Sequence, residues 1–179
     1  MIAIHAERVA DDPQAVRWVM PAGTLPPGRV RHAPGRLGEL LRDTTLSDAL
    51  VEPTAIWLRL RDGLAWSQRG GEVQKALAEA LADRDGWEIS PAPGDVLERV
   101  TTDVLAGSLG EFVGSHGGSV VARRDGEDVE VHLGGACEHC PAAEYTLRLR
   151  LLDAMKRRCP DVVASGHGHG RLRLHLPPK

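Results

Sequence analysis

The sequence predicts an α+β protein built from two small domains, and three observations support this fold class. The length of 179 residues suits one large domain or two small ones. Residues 90–94 read Ser-Pro-Ala-Pro-Gly, and two prolines with a glycine interrupt regular structure. All four tryptophans precede this segment, and all three cysteines follow it. We therefore expect residues 1–88 and 95–179 to form separate domains joined by a linker at 89–94.

The first domain is predicted to be a small α/β unit. Strands are expected at residues 2–5, 15–20 and 54–60, and helices at residues 37–41 and 72–82. The strand at 54–60 has the clearest signal, since Ile56, Leu58 and Leu60 alternate with other residues. Asp62 and Gly63 follow it as turn residues, so a hairpin returning through 64–66 is predicted.

The second domain has sharper signals and is predicted in the order helix, strand, strand, helix, strand. Asp95 and Glu98 have the spacing of a helix capping box, and the glycines at 117–118 end that helix. One strand is expected on each side of the turn at 124–126. Pro141 suits the first position of the next helix, since its missing N–H would be unpaired there anyway.

Composition excludes several classes of function. The net charge of −3 and the pI near 6.2 argue against nonspecific binding to nucleic acid or to membranes, which favours a basic surface. No apolar run approaches the roughly 18 residues of a membrane span. No basic segment followed by an apolar stretch begins the chain, so a cytoplasmic location is expected. In a reducing compartment, a close cysteine pair is more often metal-binding or catalytic than structural.

Cys137 and Cys140 form such a pair, with the spacing C-x-x-C. Glycines at 134–135 let the backbone approach a ligand closely, and Cys140 lies where the helix dipole favours a thiolate. Three chemistries use this spacing: an iron–sulfur cluster, structural zinc, and a thiol–disulfide redox couple. The spacing by itself does not decide between them.

The remaining candidates for ligands are weaker. Cys159 follows a predicted helix from 141 to 158, which would place it roughly 27 Å from Cys140 at 1.5 Å per residue. It therefore cannot join the same centre within one chain. His139 lies between the two cysteines but is predicted to face solvent, and the Gly/His-rich segment 166–170 is predicted to be a turn.

Residues 95–164 resemble the C-terminal domain of NifU, which Nfu-type proteins share. The resemblance rests on an ordered set of features: Gly117-Gly118, the strand Val129-Glu130-Val131-His132-Leu133, the segment Gly135-Ala136-Cys137-Glu138-His139-Cys140-Pro141, Thr146-Leu147, and Pro160. The chain departs from the pattern at Arg150, where the family often has glycine, and at His116, where it often has an acidic residue. Residues 1 to about 86 also look like the N-terminal domain of Nfu proteins, by strand order and a final helix.

The resemblance implies an iron–sulfur scaffold or carrier rather than an enzyme. Such a protein would assemble a 4Fe–4S cluster on Cys137 and Cys140, receive it with the help of upstream assembly proteins, and deliver it to apo-proteins. A cubane needs four outside ligands and one chain offers two, so a homodimer sharing one cluster is expected. The alternatives are a thiol–disulfide oxidoreductase using the same pair, or a zinc-stabilised interaction module. Zinc is also expected as a substitute metal in purified protein.

Overall fold

The computed structural model describes residues 2–137, 141–166 and 171–177. The chain divides into two compact units, Met1–Ala92 and Pro93–Lys179. Each unit combines helices with an antiparallel sheet, which confirms the predicted α+β class with two domains.

Within the described residues, the first unit has a six-stranded sheet in the order β1-β2-β5-β4-β3-β6. Its elements are β1 (His5–Arg8), β2 (Ala15–Val19), β3 (Gly28–His32), α1 (Gly35–Arg42), β4 (Leu46–Glu52), β5 (Ala55–Leu60), α2 (Trp66–Ala82) and β6 (Glu88–Ser90). The pairings of these strands are antiparallel. The α/β description given above for this unit is therefore replaced by α+β, because the described strand pairings are antiparallel rather than parallel.

The core of the first unit lies between its sheet and its two helices. Leu37 and Leu40 of α1, with Val73 and Leu77 of α2, pack in one buried cluster with Ile56 and other residues of the sheet. The strand predicted at 54–60 is present as β5, but the hairpin predicted after it is wrong. The chain turns into α2 instead, and β5 pairs with β2 and β4.

The second unit has the sheet order β7-β8-β10-β9. Its elements are α3 (Pro93–Ala106), α4 (Ser108–Ser115), β7 (Gly118–Asp125), β8 (Asp128–Gly135), α5 (Pro141–Arg158), β9 (Val163–Ser165) and β10 (Arg171–His175). The predicted order of elements is found with two additions. The first helix is divided at Gly107 into α3 and α4, and the short strand β9 pairs with β10 at the sheet edge. Because β6 ends at Ser90 and α3 begins at Pro93, only residues 91–92 separate them.

The sheet of the second unit has one buried face. Val129 and Val131 of β8 and Leu172 and Leu174 of β10 are buried, while the residues between them are more exposed. Helix α3 packs against β7 and β8, and α5 packs against α3. None of the described helices combines the length and the apolarity that a membrane crossing requires.

Candidate metal centre at Cys137

Cys137 lies two residues after the end of β8, and it is only 7% exposed. Its sulfur packs against Gly118, the first residue of β7, which pairs with Gly135 at the end of β8. A Cβ atom added to Gly118 would lie less than 3.0 Å from the Cys137 sulfur and 3.0 Å from Cγ1 of Val113. Since real Cβ atoms essentially never come so close, the thiol can occupy this position only because residue 118 is glycine.

The contact of the Cys137 sulfur with Gly118, called the seat of Cys137 below, depends on two further glycines. Gly117 and Gly135 have φ angles of 71° and 64°, in the left-handed region that side chains disfavour. The N–H of Ala136 donates to the carbonyl oxygen of Gly117 at 3.2 Å, which ties the segment leading to Cys137 to the start of β7. A Cβ on Gly135 would lie 2.7 Å from that same carbonyl oxygen.

These contacts give the Gly117-Gly118 pair a role that sequence reasoning missed. The sequence pattern predicts that this pair ends a helix, whereas α4 already ends at Ser115. The signal was present as two glycine pairs, at 117–118 and 134–135, on opposite sides of one predicted hairpin. Only the strand register, which pairs Gly118 with Gly135 and Ser119 with Gly134, shows that the two pairs lie together.

The two residues that depart from the NifU pattern contact one aromatic ring. The guanidinium carbon of Arg150, on α5, lies 4.2 Å from the centroid of the Phe112 ring on α4. His116 follows α4 as its C-terminal cap, and its ring centroid lies 4.7 Å from that of Phe112. Nδ1 of His116 also lies 2.9 Å from the Phe112 carbonyl oxygen. Arg150 therefore connects α5 to α4 through the Phe112 ring, and His116 packs against the same ring from the end of α4.

Cys140 and His139 lie outside the described residues, as does His167. Their predicted roles stay predictions. Helix α5 begins at Pro141, the residue that follows Cys140 in the sequence.

Cys159 is fully buried directly after α5, and its N–H donates to the carbonyl oxygen of Met155 at 2.7 Å. The 18 residues of α5 give a helix about 27 Å long, so Cys159 lies at the opposite end of this helix from Pro141. The parts of the chain that the structure describes contain no group of three or more His, Cys, Asp or Glu arranged to hold a metal ion.

The surface of α5 after the cysteine segment is partly apolar. Tyr145 is 67% exposed and Leu149 is 51% exposed, and their spacing of four residues puts them on one side of the helix. Nη1 of Arg148 donates to the carbonyl oxygen of Gly166 at 3.1 Å. The last turn carries Lys156, Arg157 and Arg158.

The second unit is thus an α+β domain in which a buried thiol packs against a glycine, between a β-hairpin and a helix. Comparison with known proteins gives this domain a family. Residues 102–164 match the family model described as "NifU-like domain", and the matched range includes both Cys137 and Cys140. The second unit therefore contains a NifU-like domain, which confirms the resemblance of the C-terminal half.

The resemblance of residues 1 to about 86 to an Nfu N-terminal domain stays a prediction. No curated protein and no solved structure matches the chain. NifU-like domains act in iron–sulfur cluster assembly, and the match supports this general role for the second unit.

Proposed function

We propose that this protein assembles a 4Fe–4S cluster on the thiolates of Cys137 and Cys140 and transfers it to apo-proteins. The observation that carries the proposal is the seat of Cys137 against Gly118, within a segment that matches the NifU-like domain. A thiolate is the donor that iron–sulfur clusters require. The glycines at 117 and 135 hold the backbone of the seat in a conformation that other residues would strain.

The count of ligands favours a homodimer. A cubane cluster has four irons, and each needs one ligand from outside the cluster. Within one chain Cys137 and Cys140 supply two, and the length of α5 keeps Cys159 away from them. Two chains related by a two-fold axis would complete the set. The exposed apolar side chains of Tyr145 and Leu149 lie in the turns of α5 that follow Cys140, where a second chain would cover them.

A cluster shared between two chains also suits transfer. Thiolates of a recipient can replace those of one chain at a time, so the cluster is never without ligands during the exchange. The recipients would be apo forms of iron–sulfur proteins, and upstream assembly proteins would supply iron and sulfide. A cytoplasmic site of action is part of this proposal.

Anaerobic reconstitution with iron and sulfide tests the proposal. The wild-type protein should gain a visible absorption band and about four irons and four sulfides per two chains. The variants Cys137→Ala and Cys140→Ala should gain neither, while Cys159→Ala serves as the matched control and should load normally. Circular dichroism checks that each variant is folded. Stoichiometric loading of the Cys137→Ala/Cys140→Ala double variant would refute the assignment.

The same samples distinguish the alternatives. A zinc-stabilised module would hold zinc tightly, without visible absorption, and would resist replacement by a cluster. A thiol–disulfide oxidoreductase would cycle between dithiol and disulfide at the same pair, and would exchange disulfides with a test substrate without bound metal.

A further inference from the structure

Strand β7 is an edge strand of the described sheet of the second unit, with β8 as its neighbour. It pairs with β8 residue for residue over its full length, from Gly118 to Asp125. Natural sheets protect their edges with short strands, charges, prolines or bulges. The other described edge strands follow this rule, since β6 and β9 have three residues each and β1 has four, three of them ionisable. In β7, residues 118–122 carry no charge and no proline.

The hydrogen-bond pattern shows which backbone groups of β7 point away from β8. The N–H of Ala136 donates to the carbonyl oxygen of Gly117 at 3.2 Å, and this contact continues the register of the two strands. Hydrogen-bonded and non-hydrogen-bonded pairs alternate along an antiparallel ladder. The N–H and C=O groups of Gly118, Val120 and Ala122 are therefore directed outward. Within the described ranges of the chain, these groups have no hydrogen-bond partner.

The side chains of β7 are also open to solvent. All eight residues are exposed or half-buried, whereas Val129 and Val131 of the neighbouring β8 are buried. Val121 is 50% exposed on the outer face, and Val120 and Ala122 are half-buried on the face towards the helices. An added strand beside β7 would cover apolar side chains on both faces.

Arg123 gives this edge a positive charge. It is exposed, and the described residues supply no carboxylate in ion-pair contact with it. Glu130, directly opposite on β8, lies instead 3.3 Å from Nε2 of His132 and 3.6 Å from Nη1 of Arg173. A carboxylate opposite Arg123 on an added strand would therefore form a favourable cross-strand pair.

We propose that β7 is the docking edge for an extended segment of a partner protein, which pairs antiparallel to it with an apolar residue opposite Val121 and an acidic residue opposite Arg123. Neighbouring strands lie about 4.8 Å apart. A partner residue opposite Gly118 would therefore stand within about 10 Å of the Cys137 sulfur, which packs against that glycine. A recipient of the cluster is the partner that this placement fits, and this identification rests on the proposed function.

Charge argues against a second copy of β7 as the occupant of the edge. In a pair of strands related by a two-fold axis, residue i lies opposite residue j and j opposite i. Asp125 of one chain can therefore lie opposite Arg123 of the other only if Arg124 lies opposite its own counterpart. Like charges directly opposite each other are destabilising. A different protein with a carboxylate at the right position avoids this repulsion.

Two synthetic peptides with blocked ends test the docking edge on the apo-protein. The first is Glu-Thr-Val-Thr-Thr-Ser, which in the antiparallel register sets its glutamate opposite Arg123 and its valine opposite Val121. The second has lysine in place of the glutamate. Nuclear magnetic resonance titrations measure the affinity and the hydrogen exchange of individual amides. The glutamate peptide should protect the amides of Val120 and Ala122, and should bind about three- to tenfold more tightly than the lysine peptide.

Three variants give the test its controls. Arg123→Glu should reverse the preference between the peptides, while Arg157→Glu, which changes an exposed arginine on α5, should keep it. Ala122→Pro removes an outward N–H and should weaken both peptides, since proline is tolerated on an edge strand where the N–H faces solvent. Absence of saturable protection at millimolar peptide, or an unchanged preference in Arg123→Glu, would overturn the docking edge. Protection of β7 by dimerisation of the apo-protein without peptide would also overturn it.

Cysteine versions of both peptides, with cysteine in place of the final serine and so opposite Gly118, extend the test to the loaded protein. The peptide thiol gives its proton to the buffer and binds iron, and the protein thiolate that it replaces takes up a proton. The glutamate version should remove the cluster faster than the lysine version, in the order reversed by Arg123→Glu. Equal rates despite unequal binding would show that the partner is not a recipient. Failure of the wild type to load would refute the proposed function, while the apo-protein titrations would still decide the docking edge.

Discussion

The thiol of Cys137 and the α-carbon of Gly118 are in such close contact that no side chain fits between them. A Cβ atom at position 118 would lie less than 3.0 Å from the sulfur and 3.1 Å from the Cys137 Cβ atom. The register of the β7–β8 hairpin creates this contact, because it pairs Gly118 with Gly135 just before the chain reaches Cys137. The proposed ligand is therefore positioned by sheet geometry, and the glycine can be tested directly.

Gly118→Ala should impair both the fold and the site. The added methyl group must displace the Cys137 side chain or Val113, and overpacking of this kind costs about 1–3 kcal/mol. Displacement of the sulfur should also lower the yield of cluster reconstitution. Chemical denaturation gives the free energy of unfolding, and iron analysis gives the yield.

Gly114→Ala is the matched control for that change. Gly114 lies near the end of α4, and a Cβ atom there meets nothing within 4 Å. Alanine in a helix is favoured over glycine by about 0.5–1 kcal/mol, so this variant should be equally or more stable and should load fully. Equal loading of Gly118→Ala and Gly114→Ala would show that the seat does not position the ligand.

Cys159→Ala should separate packing from cluster binding. Cys159 is fully buried, so removal of its sulfur leaves a small cavity and should cost about 1–2 kcal/mol of stability. The length of α5 keeps it away from Cys140, so iron and sulfide content should match the wild type. A folded Cys159→Ala protein that loses its cluster would contradict the geometric argument and would make Cys159 a ligand.

The stability of the second unit should depend on pH through Asp128. Nδ1 of His175 and Nε of Arg173 lie 2.7 and 2.6 Å from the Asp128 carboxylate. These hydrogen bonds, that from His175 first, hold the pKa of Asp128 below its usual value. A carboxyl group with a lowered pKa in the folded state stabilises the fold above its unfolded pKa. That stabilisation disappears as the pH falls through the folded pKa.

Asp128→Asn should therefore unfold more easily at pH 7, by about 0.2–1 kcal/mol for a partly exposed ion pair. The difference from wild type should begin to shrink as the pH falls below about 4, the usual pKa of an aspartic acid, and should vanish once the pH lies below the lowered pKa of the folded state. Denaturation curves at several pH values measure this. The exposed pair of Asp153 and Arg157 supplies the control, since Asp153→Asn should have a smaller effect at pH 7. A difference that persists unchanged at low pH would show that charge is not the cause.

Local signals predicted the elements nearest the site well. Helix α5 runs from Pro141 to Arg158 as expected, because proline suits its first turn and Pro160 prevents its continuation. The β7–β8 hairpin was also predicted, from alternating strands around a turn. The C-x-x-C spacing to Cys140 made Cys137 a candidate ligand. Its contact with Gly118 could not be predicted in the same way, because that contact depends on strand register, which brings glycines together from distant parts of the sequence.

The elements that the sequence did not reveal depend on partners far along the chain. Strand β4 ends at Glu52, which is completely buried and reads in the sequence as a surface residue. Arg17 donates to it through Nε at 2.8 Å, and Trp57 donates through Nε1 at 2.8 Å. A carboxylate can be buried when such donors surround it, but a donor 35 residues away leaves no local pattern. Short or charged edge strands such as β1 and β9 are equally hard to predict from the sequence.

Loading with a cluster should convert the protein from monomer to dimer. The proposed centre needs four thiolates, and each chain contributes two, so about one cluster should be found per two chains. The exposed side chains of Tyr145 and Leu149 should become buried in the dimer. Sedimentation of the apo- and loaded proteins, recorded at the wavelengths of protein and of cluster, measures both the mass and the stoichiometry.

Leu149→Ser should weaken the loaded dimer, because it removes apolar surface beside the shared centre. Val121→Ser is its matched control, since Val121 is a similarly exposed apolar residue, at 50% against 51%, but lies on β7. The control should sediment like the wild type at every concentration, while Leu149→Ser should dissociate at higher protein concentrations than the wild type does. A monomer that carries a complete cluster would refute the shared centre. It would require further ligands from the same chain or from a small thiol, with His116 and His139 as the side chains to test first.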